Sequence, residues 1–389
     1  MLLRYNILCT ETQYSGPKNS ISVNCSRHKF LLASKPGLVS SVDYEYVPEA
    51  CVWELTLRCN MRCIHCGSSA GKSRQNELTI DECLKVADDL LDMGCQHVTF
   101  IGGEVFLYNG WEKVARRFYE RGAGANIITN AFLFGKDQID QIKYAHLTNV
   151  GISLDGIEEN HNRIRNNSES FKRVLKAFQM LREESIPVGV VTSLMNINYH
   201  DLERLYSLLV ENQVSVWQIQ LATAMGNMGD QRNLLLDPAR IPEITEFIRK
   251  KRGLQEMNVY AGDDIGYYDE NEMYLRGSPG TISVWRGCQA GLKAIGIDSI
   301  GNVKGCESLY SDEFIEGNLR EESVKEIWCK EGGFAYNRKF SVNQLKGECS
   351  DCDKGSLCRG GCRGSSYFTT GSYYENTYCC YPRKKALMV

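Results

Sequence analysis

Between residues 50 and 255, short apolar runs alternate with amphipathic stretches of helical length, and this rhythm constrains the fold more than any other feature. The strand candidates are residues 52–57, 97–101, 126–129, 149–154, 187–193 and 214–221, rich in Val and Ile and bounded by Gly, Asn or charge. In residues 79–93, Ile80, Cys83, Leu84, Ala87, Leu90 and Leu91 share one helical face. Thr79 with Glu82 spells a capping box, and Gly94 stands where that helix should stop. Residues 111–121 before Gly122, and 171–184 before Pro187, repeat the scheme. Six such βα units predict an α/β fold with a parallel sheet, open or curled into a partial (β/α)6 TIM-like barrel. Chemistry in such sheets sits at the carboxyl ends of the strands.

The rhythm divides the chain. Residues 1–50, broken at Gly16–Pro17 and Pro36–Gly37, read as a β-rich leader or cap, 51–255 as the barrel and 256–287 as a bridging segment. Residues 288–389 are rich in Gly, Tyr and Cys, with few long apolar runs, and are expected to need metal to hold together. A net charge of −3 with scattered Lys and Arg argues against a nucleic-acid or anionic-membrane surface. No apolar run approaches the roughly 20 residues of a membrane span. The start, MLLRYNILCTETQ, lacks the pattern of an export signal, so a cytoplasmic location is expected.

Against that background, 17 cysteines are unusual. None lies between Cys95 and Cys288, and they crowd the segment after it. Without an export signal, clustered thiols point to metal or redox chemistry rather than disulfides. Directly after the first strand comes Cys59-Asn-Met-Arg-Cys63-Ile-His-Cys66. Three thiolates on one loop suit three irons of a cubane, with the fourth iron left for a substrate. The competing readings are a zinc loop, which normally wants a fourth ligand nearby, and ordinary buried thiols.

This motif resembles the C-x3-C-x-φ-C signature of the radical S-adenosylmethionine (SAM) superfamily, with His65 where an aromatic is usual. Gly102-Gly103-Glu104 after the second strand resembles the family's GGE segment, with Val105 replacing its proline. Asn130 resembles the T-N element, and Ser153 and Arg165 the pair that contacts the SAM ribose and carboxylate. Asp155 closes the fourth strand, and Gln220, Leu221 and Ala222 end the sixth, where the family flanks adenine. The resemblance spans residues 50–225 and implies reductive cleavage of SAM to a 5′-deoxyadenosyl radical that abstracts hydrogen.

The later cysteines resemble the SPASM extension of peptide-modifying radical SAM enzymes, which carries two auxiliary 4Fe–4S clusters. On that resemblance Cys349, Cys352, Cys358 and Cys379 bind the outer cluster, and Cys288, Cys306 and Cys362 the inner one. With the SAM cluster, three 4Fe–4S clusters are implied. The inner set is one ligand short. Either its iron is open to substrate, or Cys329, Cys380 or a carboxylate completes it. Zinc is the alternative for this region as well. Cys9, Cys25, Cys51, Cys83 and Cys95 read as ordinary thiols.

The implied substrate is a ribosomally made precursor peptide, cross-linked within itself, with a thioether first and a C–C or C–O bond next. Formylglycine formation, peptide epimerisation and a non-catalytic scaffold are the alternatives. Glu307 after Cys306 is the candidate catalytic base, with Asp263 and Asp264 behind it and a solvated turn as the plainer reading of all three. Partners implied are a flavodoxin- or ferredoxin-type electron donor and, since residues 1–50 look too short and aperiodic for a leader-binding winged helix, either a separate leader-binding protein or the barrel rim in its place.

Overall fold

The computed structural model describes residues 46–277 and 283–381. The expected leader, with Cys9 and Cys25, lies almost wholly outside them. All six predicted strands form, as β1 (Ala50–Glu54), β2 (His97–Ile101), β3 (Gly124–Thr129), β4 (Asn149–Ser153), β5 (Val188–Leu194) and β6 (Val216–Leu221). Each pairs in parallel with the next. The intervening helices are α1 (Ile80–Asp92), α2 (Trp111–Glu120), α3 (Lys136–Ala145), α4 (Glu158–Arg165), α5 (Ser170–Glu183) and α6 (Leu202–Glu211). The capping box at Thr79 and Glu82 is present, and Gly94 takes the left-handed conformation (φ 94°) that ends this helical segment.

The sheet is larger than the rhythm implied. After α7 (Ile241–Leu254), β7 (Asn258–Ala261) pairs in parallel with β6, beyond the residue where the alternation seemed to stop. On the other side of β1, β8 (Ala294–Ile297) pairs in parallel, followed by antiparallel β9 (Asn302–Lys304) and β10 (Gly317–Asn318). The order is β10-β9-β8-β1-β2-β3-β4-β5-β6-β7. The cysteine-rich region thus shares a sheet with the barrel. Short helices follow in the later part, among them α8 (Glu272–Leu275) and α9 (Val324–Cys329), and α9 rests against α1.

Strand side chains alternate between two environments. Cys51, Trp53, Val98, Phe100, Ala125, Ile127, Val150, Ile152, Trp217 and Ile219 are buried in the apolar core beneath the helices. Phe100 meets Trp53 and Phe118 with ring centroids 5.9 and 6.0 Å apart. Burying each such side chain contributes about 1.5–3 kcal/mol. The intervening positions are more polar, with Glu54, Thr99, Asn126, Asn149 and Gln218 all buried. At the carboxyl edge of this polar face the sheet opens into a cavity.

Candidate active site

The cavity has a volume of about 250 Å³, and Cys59, Cys63 and Cys66 line it together. Their loop is held by backbone. Cys59 N–H donates to Gly71 O and Gly71 N–H to Leu57 O, each at 3.0 Å, while Ile64 N–H donates to Ile164 O at the end of α4. Asn227, after β6, clamps the loop through Nδ2 to Cys63 O and N–H to Cys66 O, both 2.9 Å. Among the described residues no three His, Cys, Asp or Glu side chains are grouped to hold a single ion. The three thiols border a hollow instead. Burial pushes Cys59 up to about 11 and raises Cys63, with the Arg165 guanidinium 3.9 Å from its Sγ pulling the other way. Ligating thiols must lose their protons, so a bound metal charge would have to overcome this burial.

Gly102 and Gly103 line the cavity, and their need for glycine is steric. A Cβ on Gly102 would stand 2.6 Å from Thr56 O, and one on Gly103 only 2.3 Å from Arg58 O. Gly103 N–H donates to Thr56 O (2.7 Å) and Glu104 N–H to Arg58 O (2.8 Å), so the two loops lie backbone to backbone. Glu104 turns away from the cavity. Its carboxylate does not line the cavity but is buried beneath it, accepting from Thr129 Oγ1 (2.6 Å) and Asn130 N–H (2.8 Å). It acts on the site through Asn130, whose Nδ2 donates to Asn60 Oδ1 (2.8 Å) in the cysteine loop.

Asp155 likewise sits behind the wall rather than in it. Its Oδ2 meets Arg165 Nη2 at 2.7 Å and lies 3.5 Å from His65 Nε2, while Oδ1 accepts from Ser193 N–H at 3.0 Å. Burial opposes its charge, but Arg165 prevails and holds the carboxyl below its usual value. Burial pushes His65 down to about 4, so this ring is neutral near pH 7. His65, Arg165, Ser153 and Asn130 all face the cavity, as do Gln220 and Leu221 on its far side. Gln220 donates to Ser193 Oγ at 3.2 Å.

The later cysteines fall into two neighbourhoods. Burial pushes Cys358 up to about 12, with Cys349 and Cys352 close enough to add to it, and Cys379 is raised by burial and by Cys358 and Cys349. Cys362 is raised by burial, then by Cys288 and also by Cys306. Cys362 itself lines the cavity. Cys329 is exposed on α9, and Cys380 is buried.

Glu307 is not brought to the cavity. It is buried against β8 with Oε2 3.2 Å from Lys304 Nζ, and burial raises its pKa. The plainer reading, a solvated turn, fails too, because Lys304 three residues earlier lets the carboxylate go inside. Asp263 and Asp264, the lesser candidates, both line the cavity, and burial pushes Asp264 up to about 7. Sequence reasoning did not single out Ser193, Met225, Ser308 or Ser365, which also line it, nor Asn227. Their only signal was position after a strand or a cysteine.

The donor set fits an iron–sulfur and SAM site: three thiols at one wall, a cationic Arg165, and backbone too tightly packed to admit a side chain. Residues 53–209 match the Radical SAM superfamily, and residues 288–353 match SPASM, an iron–sulfur cluster-binding domain. The chain is 26% identical over 350 residues to the AdoMet-dependent heme synthase of Methanosarcina barkeri, covering 87% of this chain and 98% of that protein. It is 26% identical over 328 residues to mycofactocin maturase MftC of Mycolicibacterium smegmatis, covering 83% and 80%. The fold is similar to Streptococcus suis SuiB bound to precursor peptide SuiA (TM-score 0.69, 17% identity, 86% of this chain and 76% of that one). It also resembles anSMEcpe with bound AdoMet and a Cp18Cys peptide (TM-score 0.63, 19% identity, 87% and 95%). No helix among the described residues is long and apolar enough to cross a membrane.

Proposed function

We propose that this radical SAM enzyme, with its SPASM domain, is a maturase that closes an intramolecular cross-link in a ribosomally made precursor peptide, a thioether first and a C–C or C–O bond next. One observation carries the reading: a single cavity has Cys59, Cys63 and Cys66 on one wall and Cys362 on another, so a substrate held there touches two redox neighbourhoods. The similarity to MftC and the fold shared with peptide-bound SuiB support the peptide class. Formylglycine formation and epimerisation remain the alternatives on the same site.

In this reading Cys59, Cys63 and Cys66 hold the SAM cluster. Cys349, Cys352, Cys358 and Cys379 hold the outer auxiliary cluster, and Cys288, Cys306 and Cys362 the inner one. When bound, SAM and the three 4Fe–4S clusters supply one-electron reductive cleavage, hydrogen abstraction and an acceptor for the second electron. The chain's own residues bind and orient. Arg165, fixed by Asp155, presents positive charge to the SAM carboxylate, with Ser153 and neutral His65 beside it. Glu104 holds Asn130, and Gln220 and Leu221 bound the far end. Glu307, paired with Lys304, supports β8 rather than taking a substrate proton. A flavodoxin- or ferredoxin-type donor and a separate leader-binding protein complete this cytoplasmic system.

A second reading is supported by the match along 98% of the M. barkeri heme synthase: a tetrapyrrole substrate. Iron analysis after anaerobic reconstitution comes first. The peptide reading expects about 12 iron atoms per chain, falling to about 8 in Cys59→Ala/Cys63→Ala/Cys66→Ala, with 5′-deoxyadenosine lost. Mass spectrometry of precursor peptides encoded beside the chain then expects a loss of two hydrogens without reaction with hydrazines. Consumption of an iron tetrapyrrole in place of every peptide would replace the peptide reading with the tetrapyrrole one.

A further inference from the structure

The cluster assignment above gives the inner cluster three thiolates for four irons. Of the three, Cys362 lines the cavity, and neither spare cysteine does: Cys329 is exposed on α9, and Cys380 packs behind Gly266. A different donor does. The turn after β7 is tied to Cys362 through one hydroxyl, because Tyr267 Oη donates to Asp263 O (2.7 Å) and accepts from Cys362 N–H (3.1 Å). Asp264, next in that turn, lines the same cavity as Cys362. Its Oδ2 accepts from Leu221 N–H at 3.1 Å, while Oδ1 is buried with no hydrogen-bond partner. A desolvated carboxylate oxygen without a partner is costly, by about 1–3 kcal/mol or more for a charged group. One oxygen fixed by backbone and the other free is also how a metal-ligating carboxylate is oriented.

We infer that Asp264 is the fourth protein ligand of the inner auxiliary cluster, bonding through Oδ1, with Leu221 and Tyr267 as the groups that position it. The inference rests on the cluster assignment proposed above. It makes the inner cluster coordinatively closed, with mixed thiolate and carboxylate ligation.

The test uses the full chain carrying Cys59→Ala/Cys63→Ala/Cys66→Ala, so that only auxiliary clusters reconstitute, read by iron content and by EPR of the reduced clusters. Imidazole, which binds an open iron, is the probe. The parent spectrum should not respond to imidazole. Asp264→Ala should either respond or lose about 4 of about 8 irons. Asp264→Cys should restore the iron and the insensitivity, with a spectrum unlike the parent's. The inference is overturned if the parent itself responds to imidazole, or if Asp264→Ala matches the parent in all three readouts. It is equally overturned if Asp264→Cys restores nothing, or if Cys380→Ser reproduces the loss. A parent holding only about 4 irons would bring down the cluster assignment first and the inference with it.

Discussion

Asp155→Asn is the sharpest test of how the SAM-facing wall is built. Asp155 is buried, and the change keeps its size and leaves Oδ1 able to accept from Ser193 N–H. It removes the anion 2.7 Å from Arg165 Nη2 and turns an amide N–H₂ toward that guanidinium. Breaking a buried pair while leaving one charge inside typically costs about 3–5 kcal/mol. At roughly 2–4 °C per kcal/mol for domains of 150–250 residues, the thermal midpoint should fall by about 10 °C. The assay is circular dichroism melting of the anaerobically reconstituted protein, with calorimetric titration of SAM alongside. SAM affinity should fall too, because Arg165 loses the group that aims it. Asp155→Asn/Arg165→Gln, which leaves no unpaired charge, should melt above the single variant while still binding SAM poorly. A single variant within 2 °C of wild type, or a double variant melting below the single, would refute the reasoning.

Gly103→Ala places a methyl 2.3 Å from Arg58 O, so backbone must move at the cysteine loop. Iron should fall from about 12 to about 8 with the auxiliary signals intact, and elemental analysis with EPR checks it. Alongside His65 and His97, which burial pushes down to about 4, His161 should account for part of the acid sensitivity: burial pushes it down to about 3, and its Nδ1 accepts the Asp155 N–H at 3.1 Å. Its folded form binds fewer protons than the unfolded chain. The contribution is therefore full above about pH 6.5 and is lost as pH falls from there toward 3, by up to about 1.4 kcal/mol per unit. His161→Gln should melt lower at pH 7.5 but show a shallower decline between pH 6.5 and 5, and an unchanged slope would remove His161 from the account.

The strands were legible because apolar runs of Val and Ile punctuated by Gly and Asn carry their own period. β7, Asn258-Val-Tyr-Ala261, and β8, Ala294-Ile-Gly-Ile297, are only four residues each. At that length periodicity carries no signal, and long-range pairing decides. The Cys59–Cys66 loop stood out by its spacing, whereas the later cysteines were grouped by resemblance, because Cys288, Cys306 and Cys362 lie far apart in the chain. Burial was not. Asp263–Asp264 spells a solvated turn until β7 carries it to the cavity, and Glu307 spells one until Lys304 comes to meet it. Glu104 shows a third kind of loss: a motif locates a carboxylate, but only the neighbouring hydroxyl of Thr129 determines which way it turns.

The parallel pairing of β8 with β1 has a consequence for evolution and engineering alike. Residues Ala50–Trp53 bond to Ala294–Ile297 on one side and to His97–Phe100 on the other, so β1 is interior to the sheet. A chain cut before Cys288 would strip that flank and present a bare row of amide and carbonyl groups, a template for intermolecular strand addition. The two halves are thus poor candidates for shuffling as modules, and a truncated barrel should precipitate rather than persist as a simpler catalyst. The same ladder sets the spacing between the cysteine loop after β1 and Cys306 after β9 as a property of the backbone, not of a hinge.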